Sequence, residues 1–204
     1  MNTLVLDRST DTQSVALERD GKVVARVLAG TDSRSGDWPL KVRDFLAANS
    51  VAPADLDRVV VGCGPGSFAG IRAALAFAQG IALGGHAVVK GLPSTAALAC
   101  AGERHAIVGD ARRDRYWVIV YDGLDVEKDF FLVEKTALGD SVPAEHTVLT
   151  PDGDRIGPLL AAIFGPRYKG PATPLAAHLA EVAAARPDLL VDEPLPVYLQ
   201  PPVK

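Results

Sequence analysis

The chain opens on a short apolar run, Thr3 to Leu6, closed by an acid, Asp7. Two further short stretches, Ser14–Glu18 and Val23–Val27, flank Asp20-Gly21. Both turn residues tolerate positive φ, so the pattern predicts a strand followed by a two-residue hairpin. Around Asp37-Trp38-Pro39 a helix is predicted, because proline is tolerated in the first turn and Val42, Phe45 and Leu46 keep helical spacing. Pro53 lies beyond its end. Val59-Val60-Val61 is wholly apolar, the pattern of a strand buried on both faces. A glycine-rich turn, Gly62 to Gly70, leads into a long helix reaching about Leu83, then a strand Ala87–Val89, and Pro93-Ser94-Thr95 opens another helix. A second series begins near Arg104, with strands Ala106–Gly109, Arg115–Tyr121 and Phe130–Val133 and a turn at Asp122-Gly123. From Leu138 to Pro174 prolines and glycines thicken and no element is assigned. Leu175–Ala185 reads as a helix stopped by Arg186-Pro187, and the four prolines between Pro194 and Pro202 exclude a long helix there. Strands and helices followed by a weaker echo predict an α/β fold of two lobes in tandem, residues 1–102 and 103–204, with mixed sheets flanked by helices.

Composition narrows the class. At 204 residues, 48% hydrophobic and 23% charged, the chain has the ordinary globular balance, enough for one domain or two lobes of about 100 residues each. A formal net charge of −4 argues against non-specific wrapping of nucleic acid, and no DNA partner is expected. Cys63 and Cys100 form no paired motif, which excludes a disulfide scaffold and a Cys-rich zinc site. The N-terminus has no basic region of the secretory type. Ala73 to Val89 holds Gln79, His86 and three glycines, too polar to span a bilayer. The expectation is a soluble, cytoplasmic chain with no membrane partner.

The sharpest local signal is Gly64-Pro65-Gly66-Ser67-Phe68-Ala69-Gly70-Ile71-Arg72. A buried strand running through glycines into a helix start leaves backbone N–H groups able to receive an anion. The same pattern also suits a tight strand-to-helix connection in which glycine supplies unusual backbone angles. Neither the dinucleotide nor the Gly-Lys-Ser/Thr phosphate fingerprint is present. Asp7-Arg8-Ser9-Thr10 offers an acid and two hydroxyls, suited either to a metal-bound phosphate or to a solvated turn. In the following helix Ala74, Ala78 and Ala82 make a small-residue stripe. A helix apolar nearly all round must be covered nearly all round, by a partner helix or by the protein's own core. Arg112, Arg113 and Arg115 form the one basic cluster, able to touch RNA phosphate, although a short charged run between strands is usually a solvated loop. The four histidines never pair at metal-ligand spacing, no Gly-x-Ser-x-Gly elbow occurs, and Cys63 reads as a packing residue. No catalytic set and no metal site is expected.

Taken in order and spacing, Leu4-Val5-Leu6-Asp7-x-Ser9-Thr10, the Gly64–Arg72 block, Gln79-Gly80, Gly91-Leu92-Pro93-Ser94-Thr95, Asp110-Ala111-Arg112-Arg113 and Pro196-Val197-Tyr198-Leu199 resemble the TsaB (YeaZ) family over essentially the whole chain. The resemblance implies a two-lobed fold of the actin, sugar-kinase and chaperone-ATPase superfamily. It implies a subunit required for threonylcarbamoyladenosine formation in tRNA that is not itself the transferase. Its implied partners are the transferase TsaD and the ATPase TsaE, with tRNA met through the complex and a homodimer as a further state. ATP and metal would belong to the partner subunits, none to this chain. The family's phosphate-loop-like positions fall on Asp7, Ser9, Thr10, Gly64, Gly66 and Ser67. Its partner-facing helix falls on Phe68, Gly70, Ile71, Ala74, Leu75, Ala78, Ile81 and Ala82. The chain departs from the family at Arg8, Ala69, the Asp32–Gly36 segment and Gln200, changes that bear on nucleotide binding more than on partner binding. The rival from another class is a stand-alone nucleotide-dependent kinase or ATPase of the same fold, for which Asp110 is the only acid at a strand end in the second lobe. A peptidase, an old association of the family, lacks any nucleophile–base or metal constellation.

Overall fold

Leu4, Val5 and Leu6 are all fully buried, as an uninterrupted apolar run requires when both faces of a sheet are covered. In the computed structural model, residues 1–28, 36–99 and 103–199 are described. The departing residues 32–35, Cys100 and Gln200 lie outside them. The strand carrying Leu4–Leu6, β1 (Asn2–Asp7), pairs antiparallel with β2 (Ser14–Arg19), which pairs antiparallel with β3 (Lys22–Val27). Asp20 and Gly21 both take positive φ, 53° and 77°, in the predicted hairpin. After α1 (Trp38–Ala48), β4 (Arg58–Gly62) returns parallel to β1, and after α2 (Phe68–Gly84), β5 (Val88–Leu92) lies parallel to β4. The order is β3-β2-β1-β4-β5. Leu4, Leu6, Val15, Leu17, Val59 and Val61 share one core with α1 and with Ile71, Ala74, Leu75 and Ala78 of α2.

A second sheet repeats this order: β6 (Arg104–Asp110), β7 (Arg115–Asp122) and β8 (Asp125–Glu134) form an antiparallel meander, and β9 (Thr147–Thr150) and β10 (Tyr168–Pro171) add in parallel on the other side of β6. The order β8-β7-β6-β9-β10 matches the first sheet strand for strand. Ala106, Val108, Val118, Val120 and Val148 bury one face with α3 (Leu138–Ser141) and α4 (Gly153–Phe164). On the other face Ile107, Trp117, Ile119 and Tyr121 pack with Leu98 and Ala99. The architecture is therefore α/β, with two mixed sheets flanked by helices.

Three sequence expectations change. The division into 1–102 and 103–204 gives way to one compact unit of Met1–Ala97 with Pro174–Val197 and another of Leu98–Thr173 with Tyr198–Lys204. The cause is α5 (Ala176–Ala185), which packs on β1, β2 and β3 and whose first N–H, on Ala176, donates to Ser14 Oγ at 2.9 Å. The helix expected after Pro93 is only a 3-10 stretch, Ser94–Leu98. The unassigned stretch from Leu138 holds the short α3, the twelve-residue α4, a 3-10 turn at Gly165–Arg167 and the strands β9 and β10. Among the described residues no helix is long and apolar enough to cross a membrane.

Candidate functional site

In the first unit β1 ends at Asp7, β4 ends at Gly62, and the Gly64–Ser67 loop carries the chain into α2. Asp7 is wholly buried. Its Oδ1 accepts from the Ser9 N–H at 2.9 Å and the Ser9 hydroxyl at 2.7 Å, and its Oδ2 accepts from the Ser94 hydroxyl at 2.6 Å. Ser94 Oγ in turn accepts from the Gly64 N–H at 3.0 Å. Burial pushes the Asp7 carboxyl above its usual range, opposed by the donors from Ser94 and Ser9. The loops themselves touch: the Ser67 N–H donates to the Ser9 carbonyl at 2.6 Å. A Cβ on Gly66, at φ 156°, would strike that carbonyl, and one on Gly62 would strike the Asp7 carboxylate. Glycine is needed at both positions for this closure.

The structure thus brings Asp7, Ser9, Gly64, Gly66 and Ser67 together but leaves Thr10 to close its own turn, accepting from the Thr12 N–H at 3.2 Å. Ser67 serves α2, accepting from the Gly70 N–H as its N-cap. Binding a metal-linked phosphate would need free carboxylate lone pairs and space in front of them. Here three protein donors already engage the carboxylate, Asp7 is wholly buried, and Gly62 lies directly against its Oδ2. Arg8 does not enter the loop; its guanidinium lies over the Trp38 ring, 4.6 Å from the centroid. Cys63, just before the loop, is buried, and desolvation pushes its thiol up to about 11, which suits packing and not nucleophilic attack. Sequence reasoning missed Ser94, the residue that joins Asp7 to the glycine loop. Its only signal was its place in the Gly91–Thr95 block.

In the second unit Asp110 ends β6 and is also engaged. Its Oδ1 accepts from the Arg112 N–H at 2.7 Å, and its Oδ2 lies 3.2 Å from the Arg155 guanidinium. Arg155 also pairs with Asp152, whose Oδ2 accepts from the Asp110 N–H at 2.9 Å. Among the described residues no group of three His, Cys, Asp or Glu side chains could hold a metal ion.

The interface expected on α2 needs correction. Gly70, Ile71, Ala74, Leu75 and Ala78 face the first unit's own core, and Ala74 and Ala78 are fully buried. Ile81 and Ala82 are half-buried. The small-residue stripe lets α2 sit close on the sheet. The opposite face carries Phe68, Arg72, Ala76, Gln79, Gly80 and Leu83 in the open. Leu83 is 90% exposed. Beside it a groove of about 580 Å³ runs between α1 and α2, lined by Leu40, Phe77 and Ile81 among others. Arg112 and Arg113 stand exposed and Arg115 half-buried at the turn between β6 and β7.

The TsaD family model, tRNA N6-adenosine threonylcarbamoyltransferase, matches residues 39–136, a span holding α1, the glycine loop and α2. The tRNA threonylcarbamoyladenosine biosynthesis protein TsaB of Escherichia coli K12 is 34% identical over 100 residues, 48% of this chain and 43% of the relative. Its Bacillus subtilis 168 counterpart is 31% identical over 130 residues, 61% of this chain and 55% of the relative. The matches thus span about half the length of these curated relatives. Solved structures are matched over nearly their whole length. YeaZ from Pseudomonas aeruginosa superposes with a TM-score of 0.79 at 23% identity, covering 97% of this chain and 100% of that one. A protein from the same organism, described as uncharacterized with similarity to peptidase YEAZ, gives 0.77 at 25% identity over 98% and 99%. Likeness in sequence to proteins named TsaB and likeness in fold to YeaZ converge, and this chain is similar to the TsaB (YeaZ) family in both.

Proposed function

We propose that this chain takes part in forming threonylcarbamoyladenosine in tRNA as a non-catalytic subunit that binds and supports a TsaD-type transferase, with TsaE as a further partner. The observation that carries the reading is the sealed acid of the first unit. Asp7 holds two loops together through Ser9 and Ser94, with three protein donors on a wholly buried carboxylate. Nucleotide and metal are accordingly assigned to the partner subunits. Support for a partner role comes from the outer face of α2. Gly80 and Gly84 lie within the helix, and a Cβ at either would meet no atom within 4 Å. Glycine inside a helix costs stability, and the isolated unit has no steric need for it there. Small residues beside Phe68 and Leu83 let another surface approach closely, TsaD in the working complex or a second copy of this chain in its absence.

The test is reconstitution. TsaD, TsaE and tRNA should modify the tRNA with this chain present and fail without it, while the chain alone turns over no ATP. ATP hydrolysis by the isolated chain at about 1 per second or faster, or full modification without it, would overturn the reading.

A further inference from the structure

The turn between β6 and β7 is built in an unusual way. Arg112, Arg113 and Asp114 are three consecutive non-glycine residues with positive φ, at 67°, 55° and 55°. Side chains other than glycine, asparagine and aspartate seldom adopt this conformation, so two arginines in it are unfavourable for folding alone. The turn is also pinned. The Ala111 N–H donates to the Arg115 carbonyl at 2.9 Å, the Arg115 N–H to the Arg112 carbonyl at 3.2 Å, and the Lys135 N–H to the Asp114 carbonyl at 3.3 Å. The last bond brings exposed Lys135 beside the arginines.

The charges on this face are not self-compensating. Asp110 is engaged by Arg155, and it lies 3.5 Å from Arg112, whose side chain is still 71% exposed. Arg113 and Arg115 form no ion pair among the described residues. Against Arg112, Arg113, Arg115 and Lys135 stand two exposed acids, Asp114 and Glu134. The aromatic residues that follow, Tyr116 and Trp117, are buried in the sheet. The face therefore offers guanidinium groups on a fixed backbone, with no aromatic centre. Protein interfaces draw their affinity from buried aromatic and apolar anchors. A phosphodiester backbone needs only cations, and guanidinium groups match phosphate oxygens in pairs.

We infer that the Arg112–Arg115 turn, with Lys135, is a docking surface for the phosphate backbone of RNA, by which this chain itself touches tRNA. The inference rests on the tRNA-directed role proposed above. The contact is sequence-blind, since no stacking or base-reading side chain accompanies the cations. The pinned turn fixes the backbone from which the arginines project, so less backbone freedom is lost on binding.

The experiment is equilibrium binding of an unmodified tRNA transcript to the full chain, alone and with TsaD, across a salt series from about 50 to 200 mM. The R112A/R113A/R115A variant should bind about tenfold or more weakly at low salt, with a log–log salt slope shallower by about two to three. The R112K/R113K/R115K variant, which keeps every charge and controls for the fold, should retain most of the slope. Absence of any tRNA binding by the wild-type chain at low salt overturns the inference, as does an alanine variant with unchanged affinity and slope. An alanine variant that binds tRNA normally but no longer binds TsaD also overturns it and makes an acidic protein surface the occupant. Failure of the two proposals is distinguishable. If modification requires the chain but the arginines do not matter for tRNA, only the docking surface falls. If the arginines bind tRNA while modification proceeds without the chain, only the subunit role falls.

Discussion

Placing a glutamate at Ala78 should unfold the first unit, whereas placing one at Leu83, five residues further along the same helix, should leave it folded and abolish partner binding. Ala78 is fully buried against the sheet, next to Ala74 and Leu75. A glutamate there leaves a buried charge with no counter-ion, costing about 3–5 kcal/mol, and overpacks the site for about 1–3 kcal/mol more. Together these approach the whole stability of a typical domain, about 5–15 kcal/mol. Leu83 is 90% exposed, so a charge there should change stability by no more than about 0.5 kcal/mol. Ala78→Leu adds bulk without charge and isolates the packing cost; at about 1–3 kcal/mol it should lower Tm by roughly 2–4 °C per kcal/mol. The assay pairs thermal melts followed by circular dichroism with co-elution from a TsaD column. An Ala78→Glu variant that melts with the wild type would remove the stripe from the core. A folded Leu83→Glu variant that still co-elutes at wild-type affinity would move the interface off this face.

Four further outcomes are expected. Ser94→Ala strips a donor from Asp7 Oδ2 and an acceptor from the Gly64 N–H, both buried, and should cost about 2–4 kcal/mol by denaturant titration at pH 7. Gly80→Ala, whose Cβ meets only open space, should stabilise the isolated chain by about 0.5–1 kcal/mol in the same assay. Arg113→Gly relieves a left-handed backbone at φ 55° and should raise Tm in thermal melts, by about 1 kcal/mol of stability, while weakening any anion contact there. Burial pulls the His105 imidazole below its ordinary value, so the neutral ring is favoured in the folded state. Its contribution is then complete above the unfolded value near 6.5 and is lost as pH falls below it, at up to about 1.4 kcal/mol per pH unit. His105→Gln should flatten stability between pH 7 and 5, and an unchanged pH profile would refute this.

How much of this was readable in advance depended on the range of the forces involved. The β2–β3 hairpin was legible because its turn needs two positive φ angles and Asp20-Gly21 provides them within four residues of sequence. β4 was legible because Val59-Val60-Val61 has no polar face to offer. The orientation of α2 was not, since a helix apolar on nearly every side does not record which side is covered from within. Four-residue spacing of alanines says that something packs closely; only the fold says that it is the unit's own sheet. Short elements after Leu138 escaped because β9 and β10 have four residues each, too few for a period, and Gly153, Pro158 and Gly165 read as breakers although α4 contains or borders them. Ser94 escaped because its partner Asp7 is 87 residues away, beyond any local pattern.

The two sheets share one strand order, and in each the central strand that begins the antiparallel meander ends in an acid, Asp7 in the first and Asp110 in the second. The acids are neutralised by different chemistry. Asp7 meets two hydroxyls and one backbone N–H in a wholly buried site, with no cation among them. Asp110 meets the Arg155 guanidinium in a partly exposed one. Each acid is a local tie, and the side chains that hold the two have nothing in common. In the first unit the tie fastens the start of α2, through the glycine loop and Ser67, to the end of β1. The helix whose outer face is left open is thereby anchored at its base, as the docking role proposed for it requires.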